Sequence, residues 1–357
     1  MKVIFDHQLF SYQKYGGASK YFAELIRHLP PDICETTTLL SNNEYIKEYN
    51  LFNPYHFLPN KWFRGQGRIM NELNKPYSFI KLLKKSYDVF HQTHFETYCI
   101  KAIGDKPMVT TFHDTNFSNY NKNDKMVSLQ KKSLQRANKV ITISQNTKKD
   151  LIQIFNIADE KIEVIYHGVD SNKRELSESR IIEQPYLLFV GDRNGYKNFD
   201  RFIHAFSLLT TLYKDLHVIC TRNKFEKHEE ELFNKLRISD KVLHVSADEP
   251  TLARLYRDAV MFVFPSLYEG FGMPILEAMI QGCPVALADS SCFPEIAEDA
   301  ALYFNPYEID DIYDKIKLLL ENESLRSEFI IKGKNRSALF SWEKSAYKHL
   351  QLYQSLL

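Results

Sequence analysis

Residues 262–277 read Phe-Val-Phe-Pro-Ser-Leu-Tyr-Glu-Gly-Phe-Gly-Met-Pro-Ile-Leu-Glu. An apolar run leads into Pro265 and Ser266. A loop then carries Glu269, Gly270 and Gly272, and Pro274 stands where a first helical turn begins. Glycines let backbone amides approach a ligand closely, and the free N–H groups of a new helix favour an anion or an oxygen-rich group. Glu269 on the loop and Glu277 about one turn into the helix can face one crevice. A carboxylate accepts from both hydroxyls of a vicinal diol, as ribose and hexoses offer. A plain strand–turn–helix with an acidic residue near the helix dipole explains one glutamate and one glycine. It does not explain Glu269 on a glycine-rich loop.

Further upstream runs Leu187-Leu-Phe-Val-Gly191-Asp-Arg193-Asn-Gly-Tyr-Lys197-Asn-Phe. Arg193 and Lys197 stand between the end of a strand and the start of a helix. Fixed cations there stabilise the charge that develops on a departing phosphate. Arginine suits a forked contact and lysine a point contact, although surface cations in a loop are often merely solvated. In the first half, an N-terminal strand leads to Gly16-Gly17-Ala18-Ser19 ahead of an apolar-periodic helix, which can bring backbone close to a phosphate. No Gly-x-Gly-x-x-Gly fingerprint accompanies it. Val109-Thr-Thr-Phe-His113-Asp114 places a histidine at another strand end, and Phe90-His91-Gln-Thr-His94-Phe places two more at the end of the strand before it.

The elements that hold these residues alternate short β-branched or aromatic runs with longer helical patterns, the layout of βαβ units around parallel sheets. Strands are predicted at 2–6, 36–40, 88–91, 108–112, 139–143 and 162–166, then at 186–190, 216–220, 242–245, 260–264, 284–287 and 301–304. Helices are predicted at 18–29, 66–84, 125–137 and 145–155, the last capped by Ser144. The second series adds 198–213, 225–236, 249–257, 273–281, 294–298 and 309–320. A final helix near 342–356 carries Trp342, Ala346, Leu350 and Tyr353 at helical spacing, so one face seeks burial. The expected organisation is α/β. A Rossmann-like doubly wound domain spans 1–170, a linker 171–184, a second such domain 185–340, and a C-terminal helix 341–357 returns to the first domain. Ligands of such sheets bind in the crevice at the carboxyl ends of the strands.

Length and composition agree: 357 residues, 44% hydrophobic and 25% charged, suit two globular domains. The 5 cysteines are scattered without a Cys-x-x-Cys, which disfavours a disulfide framework or zinc site. No run of ~20 apolar residues and no secretory-type leader stands out, so a cytoplasmic location is expected. Residues 1–170 hold 23 basic and 17 acidic side chains, or +6, and the remainder 46 − 23 = 23 against 45 − 17 = 28, or −5. That is far from a nucleic-acid-binding charge. Lys61-Trp62-Phe63-Arg64 and Ile80-Lys-Leu-Leu-Lys-Lys85 combine cations with apolar residues. They raise the expectation of a peripheral contact with anionic membrane, on the cytoplasmic face of the inner membrane, against the plainer reading of an ordinary helix with outward lysines.

Glu269-Gly-Phe-Gly-Met-Pro-Ile-Leu-Glu277 resembles the Glu-x7-Glu motif of glycosyltransferase family 4. The weaker pieces occur in that family's order over about residues 1–305. The resemblance implies the GT-B fold, two Rossmann-like domains facing a central cleft. It also implies a retaining transfer of a hexose from a nucleotide-diphosphate sugar to a hydroxyl, with no metal or other cofactor required. On the same ground Glu269 touches the donor sugar and Glu277 holds the ribose hydroxyls. The backbone of Phe271, Gly272 and Met273 lines the sugar and phosphate, Arg193 and Lys197 bind phosphate, and Gly16-Gly17 closes over the diphosphate. His113 lies near the reacting carbon, with His91 and His94 towards the acceptor. The family often carries arginine directly after the glycine; here Asp192 stands there, so Lys197 matches more closely than Arg193. The Tyr196-Lys197-Asn198 run resembles bacterial surface-polysaccharide transferases, many of them mannosyltransferases. That makes GDP-mannose the expected donor and a saccharide or lipid-linked saccharide, as in O-antigen assembly, the expected acceptor. An epimerase of the same fold and a non-catalytic nucleotide-sugar-binding module are the competing expectations.

Overall fold

The computed structural model describes residues 1–58, 61, 63–115, 124–169 and 179–357. The chain divides into two compact units, one formed by Met1–Gly168 with Trp342–Leu357 and the other by Val169–Ser341. Most of the expected linker 171–184 lies outside the described residues, as does Trp62.

The first unit holds a parallel sheet in the order β2-β1-β3-β4-β5-β6, made of β1 (Val3–Phe5), β2 (Cys34–Thr36), β3 (Val89–Gln92), β4 (Met108–Phe112), β5 (Lys139–Thr142) and β6 (Ile162–Val164). Alternation along β1 divides the core. Val3 and Phe5 pack with helix Gly17–His28 and with Trp342 and Tyr353, while Ile4 packs with Leu82, Phe90 and Phe112 on the other face. Both faces are covered at the centre of the sheet, so β1 is apolar and buried along its whole length. Helix Gln145–Phe155 starts where expected: the Ser144 side chain accepts from the Thr147 amide at 3.0 Å. β2 sits earlier than its predicted 36–40. The amides of Leu39 and Leu40 are taken by Asn74 Oδ1 at 3.0 and 2.8 Å, which draws the chain off the ladder. Helix Trp342–Gln354 packs on helix Gly17–His28 of this unit and buries Trp342, Ala346 and Tyr353, with Leu350 partly buried.

The second unit holds β7 (Tyr186–Phe189), β8 (His217–Cys220), β9 (Val242–His244), β10 (Met261–Phe264), β11 (Val285–Ala288) and β12 (Leu302–Phe304) in the parallel order β12-β11-β10-β7-β8-β9. The order reverses between β7 and β10, so connections leave that pair in opposite directions and open a crevice at its carboxyl end. Helix Glu323–Ser337 lies in the predicted gap before the C-terminal helix. Asn322 caps it by accepting from Leu325, and Gly333 lets it approach Met279, whose Cγ would lie 3.0 Å from an added Cβ.

Candidate functional site

The two loops at the switch point of the second unit carry the expected donor-site residues. After β7 the chain turns through Gly191 and Gly195, both at positive φ, into a short 3-10 turn over Gly195–Lys197. Asn198, itself left-handed at φ 57, donates from Nδ2 to Pro265 O at 3.2 Å and to Pro306 O at 2.7 Å. The Leu267 amide donates to Tyr196 O at 2.7 Å. These bonds stitch the loop after β7 to the loop after β10 and to the segment after β12, and set Lys197 opposite Glu269. Lys197 Nζ meets Glu269 Oε1 at 2.5 Å, with the side chains 15% and 17% exposed. The ammonium also lies 5.0 Å from the Tyr196 ring centre and 5.7 Å from that of Phe264. Burial alone would lower the Lys197 pKa, but the Glu269 and Tyr196 charges and the hydrogen bond to Glu269 outweigh it, so it is raised. The group is therefore a fixed cation at neutral pH, largely sheltered from water.

Glu269 is held through its backbone. Ser291 Oγ accepts from its amide at 3.1 Å and donates to its carbonyl at 2.6 Å, and Cys292 Sγ donates to the same carbonyl at 3.2 Å. Gly272 precedes helix Met273–Ile280 at φ 88, where an added Cβ would sit 2.9 Å from Ile275 Cδ1 and 3.1 Å from Phe293 Cε1. Only glycine fits that conformation and that space. The helix has no side-chain cap; Pro274 brings no N–H and the Ile275 amide donates to Gly272 O at 2.9 Å, so this start offers an anion the positive end of the helix dipole with the Met273 amide. Glu277, in this helix, receives the Tyr256 hydroxyl at 3.3 Å. Phe271 is buried, its ring edge-on to Phe340 at 5.9 Å. Lys197, Glu269, Phe271, Gly272, Met273 and Glu277 are thus gathered at one strand-end crevice.

Arg193 does something other than contact a phosphate. Its Nε meets Glu229 Oε1 at 2.5 Å, its Nη2 meets Glu229 Oε2 at 3.1 Å and Lys224 O at 2.9 Å, and its Nη1 meets Thr221 O at 3.4 Å. The guanidinium also lies 4.9 Å from the Phe225 ring centre. Burial would raise the Glu229 carboxyl, but hydrogen bonds from Arg193 and from the Glu226 amide, with the Arg193 charge, hold it below its ordinary value. With its donors spent inside the fold, Arg193 braces the loop after β7 rather than presenting a charge to the crevice.

In the first unit, Gly16 caps helix Gly17–His28 in an extended conformation, and Gln13 Oε1 accepts from the Ser19 amide at 3.0 Å. That amide is already occupied by protein. His113 follows β4 with its ring edge-on to Tyr21 at 5.1 Å, and its buried Nε2 has no protein partner. Burial, then the nearby His94, lowers its pKa to about 4, so it is a neutral imidazole with one unused nitrogen. His94 is likewise lowered to about 4 by burial and packs against Tyr12 at 5.7 Å. His91 does not line a surface. It is fully buried, with Nδ1 on Tyr353 OH at 2.6 Å and Nε2 on Thr111 Oγ1 at 2.9 Å. The same polar chain continues through Tyr21 OH to Thr111 Oγ1 at 3.2 Å and to His349 Nε2 at 2.6 Å. His91 therefore fastens the C-terminal helix to the sheet. The spacing of His349 with Trp342, Ala346 and Tyr353 is the sequence signal for that network. Asn198 and Ser291, which set the Lys197–Glu269 pair, carried no comparable signal.

Comparison with known proteins bears on both units. Residues 15–173 match the model described as Glycosyltransferase Family 4, and residues 172–336 match Glycosyl transferases group 1. The chain is 36% identical over 181 residues to the O-antigen chain mannosyltransferase RfbU of Salmonella typhimurium, a match covering 50% of each chain. The chain thus spans about half the length of that relative. It is 28% identical over 268 residues, 70% of each chain, to O-antigen chain mannosyltransferase B of Escherichia coli. Among solved structures, Anabaena HepE in complex with UDP and glucose superposes with a TM-score of 0.79 at 17% identity, covering 99% of this chain and 100% of that one. Two doubly wound parallel sheets, the glycine-rich switch-point loop between Glu269 and Glu277, and family matches spanning nearly the whole sequence lead to one conclusion: the chain belongs to glycosyltransferase family 4 and has the GT-B fold.

Proposed function

We propose that this protein is a retaining glycosyltransferase that moves mannose from GDP-mannose to a hydroxyl of a saccharide or lipid-linked saccharide in O-antigen or related surface-polysaccharide assembly. The observation that carries this reading is the Lys197–Glu269 pair beside an uncapped helix start at the switch point. A donor's diphosphate suits the ammonium and the positive end of the helix dipole, and its sugar and ribose diols suit Glu269 and Glu277. In the step we envisage, the bond from the anomeric carbon to the phosphate oxygen breaks. The acceptor oxygen bonds to that carbon on the same face, and the acceptor's proton passes to the departing phosphate oxygen. Lys197 and the helix start hold the charge that accumulates there, and no metal is needed in this scheme. His113, neutral and with an unused nitrogen, suits a hydrogen bond to a sugar hydroxyl. Two observations inform the choice of donor. Two relatives are named mannosyltransferases, while HepE was solved with UDP.

A thermal-unfolding panel of GDP, UDP and dTDP with their sugars tests the donor. Selective binding at a hundredfold excess over Kd adds about 2.7 kcal/mol to the native state. GDP-mannose is expected to give the largest shift, and the product formed with a saccharide acceptor is expected to keep the donor's anomeric configuration. A larger shift with UDP-sugars overturns the donor. An epimerised donor without transfer, or binding without any product, overturns the reaction.

A further inference from the structure

Helix Gln66–Leu83 is turned inside out. Its buried side is largely polar: beside Met70 and Leu82, the side chains of Gln66, Asn71, Asn74 and Ser78 are all essentially inaccessible. Each is tied into the first unit. Asn74 Nδ2 donates to Ser11 Oγ and Leu40 O, both at 2.8 Å, and Ser78 Oγ donates to Thr37 Oγ1 at 2.7 Å. Asn71 Nδ2 donates to Glu96 Oε1 at 3.0 Å, and Gln66 Nε2 to Phe57 O at 2.9 Å. The outward side carries an apolar stripe. Ile69, Leu73, Tyr77, Ile80 and Leu83 recur every three or four residues and are 43%, 47%, 38%, 59% and 51% exposed. An amphipathic surface helix ordinarily shows the opposite arrangement. The hydrogen bonds of the buried side prevent the helix from rolling its apolar face inward. The stripe runs about 21 Å, from the 14 steps between Ile69 and Leu83 at 1.5 Å each.

Charge identifies what covers it. Residues 61–85 contain seven basic side chains (Lys61, Arg64, Arg68, Lys75, Lys81, Lys84 and Lys85) and one acidic, Glu72, a net of 7 − 1 = +6. That equals the whole excess of residues 1–170, 23 − 17 = +6. Lys61, Arg64 and Arg68 are exposed at one end of the stripe and Lys84 and Lys85 at the other. We propose that this face lies on an anionic lipid bilayer, with the apolar stripe at the level of the acyl boundary and the cations among the headgroups. The proposal is independent of the glycosyl-transfer reading and stands or falls separately from it.

Co-sedimentation of the full chain with vesicles decides the matter. Phosphatidylethanolamine vesicles with about a third phosphatidylglycerol are compared with pure phosphatidylcholine, in about 0.1 M and about 0.5 M NaCl. The wild type is expected to pellet with the anionic vesicles and to be largely released by salt. Leu73→Glu/Ile80→Glu is expected to weaken binding at least about tenfold, and Arg68→Glu/Lys84→Glu to weaken it and flatten the salt dependence. All these positions are exposed, so thermal unfolding is expected to stay as in the wild type. If the glutamates perturb it, Leu73→Gln/Ile80→Gln replaces them. A wild type that stays in the supernatant overturns the proposal, as does a stripe variant that pellets like the wild type. A wild-type dimer made monomeric by Leu73→Glu/Ile80→Glu, without vesicle binding, assigns the face to a second copy and overturns it too.

Discussion

Replacing Arg193 with methionine separates bracing from catalysis. The substitution keeps most of the volume and removes the charge, leaving the Glu229 carboxylate in a place where the paired side chains are only 4% and 5% exposed. Removing one partner of a buried, hydrogen-bonded ion pair costs about 3–5 kcal/mol, because the surviving charge has lost its compensation. Here the carbonyls of Thr221 and Lys224 lose their donor as well. Arg193→Met/Glu229→Gln removes the stranded charge while leaving an acceptor for the Glu226 amide, which now donates to Glu229 Oε2 at 2.7 Å. The double variant is therefore expected to be more stable than Arg193→Met alone. The linkage sign follows from Glu229, whose carboxyl is held below its ordinary value of 4.5. The pair's contribution is complete above that value and is lost as pH falls through the lowered one. Chemical denaturation followed by circular dichroism, with turnover normalised to the folded fraction, measures both effects. Turnover per folded molecule is expected to stay within about tenfold of the wild type. A stability loss below about 1 kcal/mol with a hundredfold loss of turnover would show that Arg193 acts on the donor instead.

Three other outcomes follow from the same geometry. His91, His113, His167 and His349 are buried and held neutral, with pKa lowered to about 4 for His113 and His349. The unfolded chain binds more protons below the ordinary value of 6.5, so stability is full above it. On acidification it falls by about 1.4 kcal/mol per pH unit per histidine, down to the folded values. Denaturation midpoints from pH 7.5 to 5 check this, and a flat profile contradicts it. Gly272→Ala is expected to cost about 1–3 kcal/mol from left-handed strain and overpacking against Ile275 and Phe293, read as a lowered unfolding midpoint. Asn198→Ala breaks the bonds to Pro265 and Pro306 that align the two loops. It is expected to reduce nucleotide affinity beyond its effect on stability; calorimetry showing unchanged affinity would remove the stitching role.

Much of this was legible in the sequence because period and turn chemistry are local properties. All 12 predicted strands correspond to strands of the two sheets, and Ser144 and Pro274 mark helix starts as expected. β2 moved because Asn74, far along the chain, competes for its amides. Helix Glu323–Ser337 was missed because its buried face holds the small Gly333 and Ser337 with Phe329, a weak apolar signal. Glu269 and Lys197 stood out by type and loop context. Their meeting did not, because it depends on the reversal of strand order and on Asn198. Arg193 and His91 were assigned outward roles because Glu229 and Tyr353, the partners that draw them inward, lie 36 and 262 residues away. The apolar stripe of helix Gln66–Leu83 was visible only as fragments. Periodicity gives two faces, and the choice of which turns inward was made by Asn71, Asn74 and Ser78.

The proposal that Lys197 and Glu269 together hold the activated sugar is decided by turnover of the preferred nucleotide sugar by Lys197→Ala at matched folded fraction. Loss of a preorganised stabiliser of developing charge predicts a fall in kcat of about a hundredfold to a thousandfold with the fold intact. Near-normal turnover by a folded Lys197→Ala protein would show that Lys197 does not stabilise the departing diphosphate.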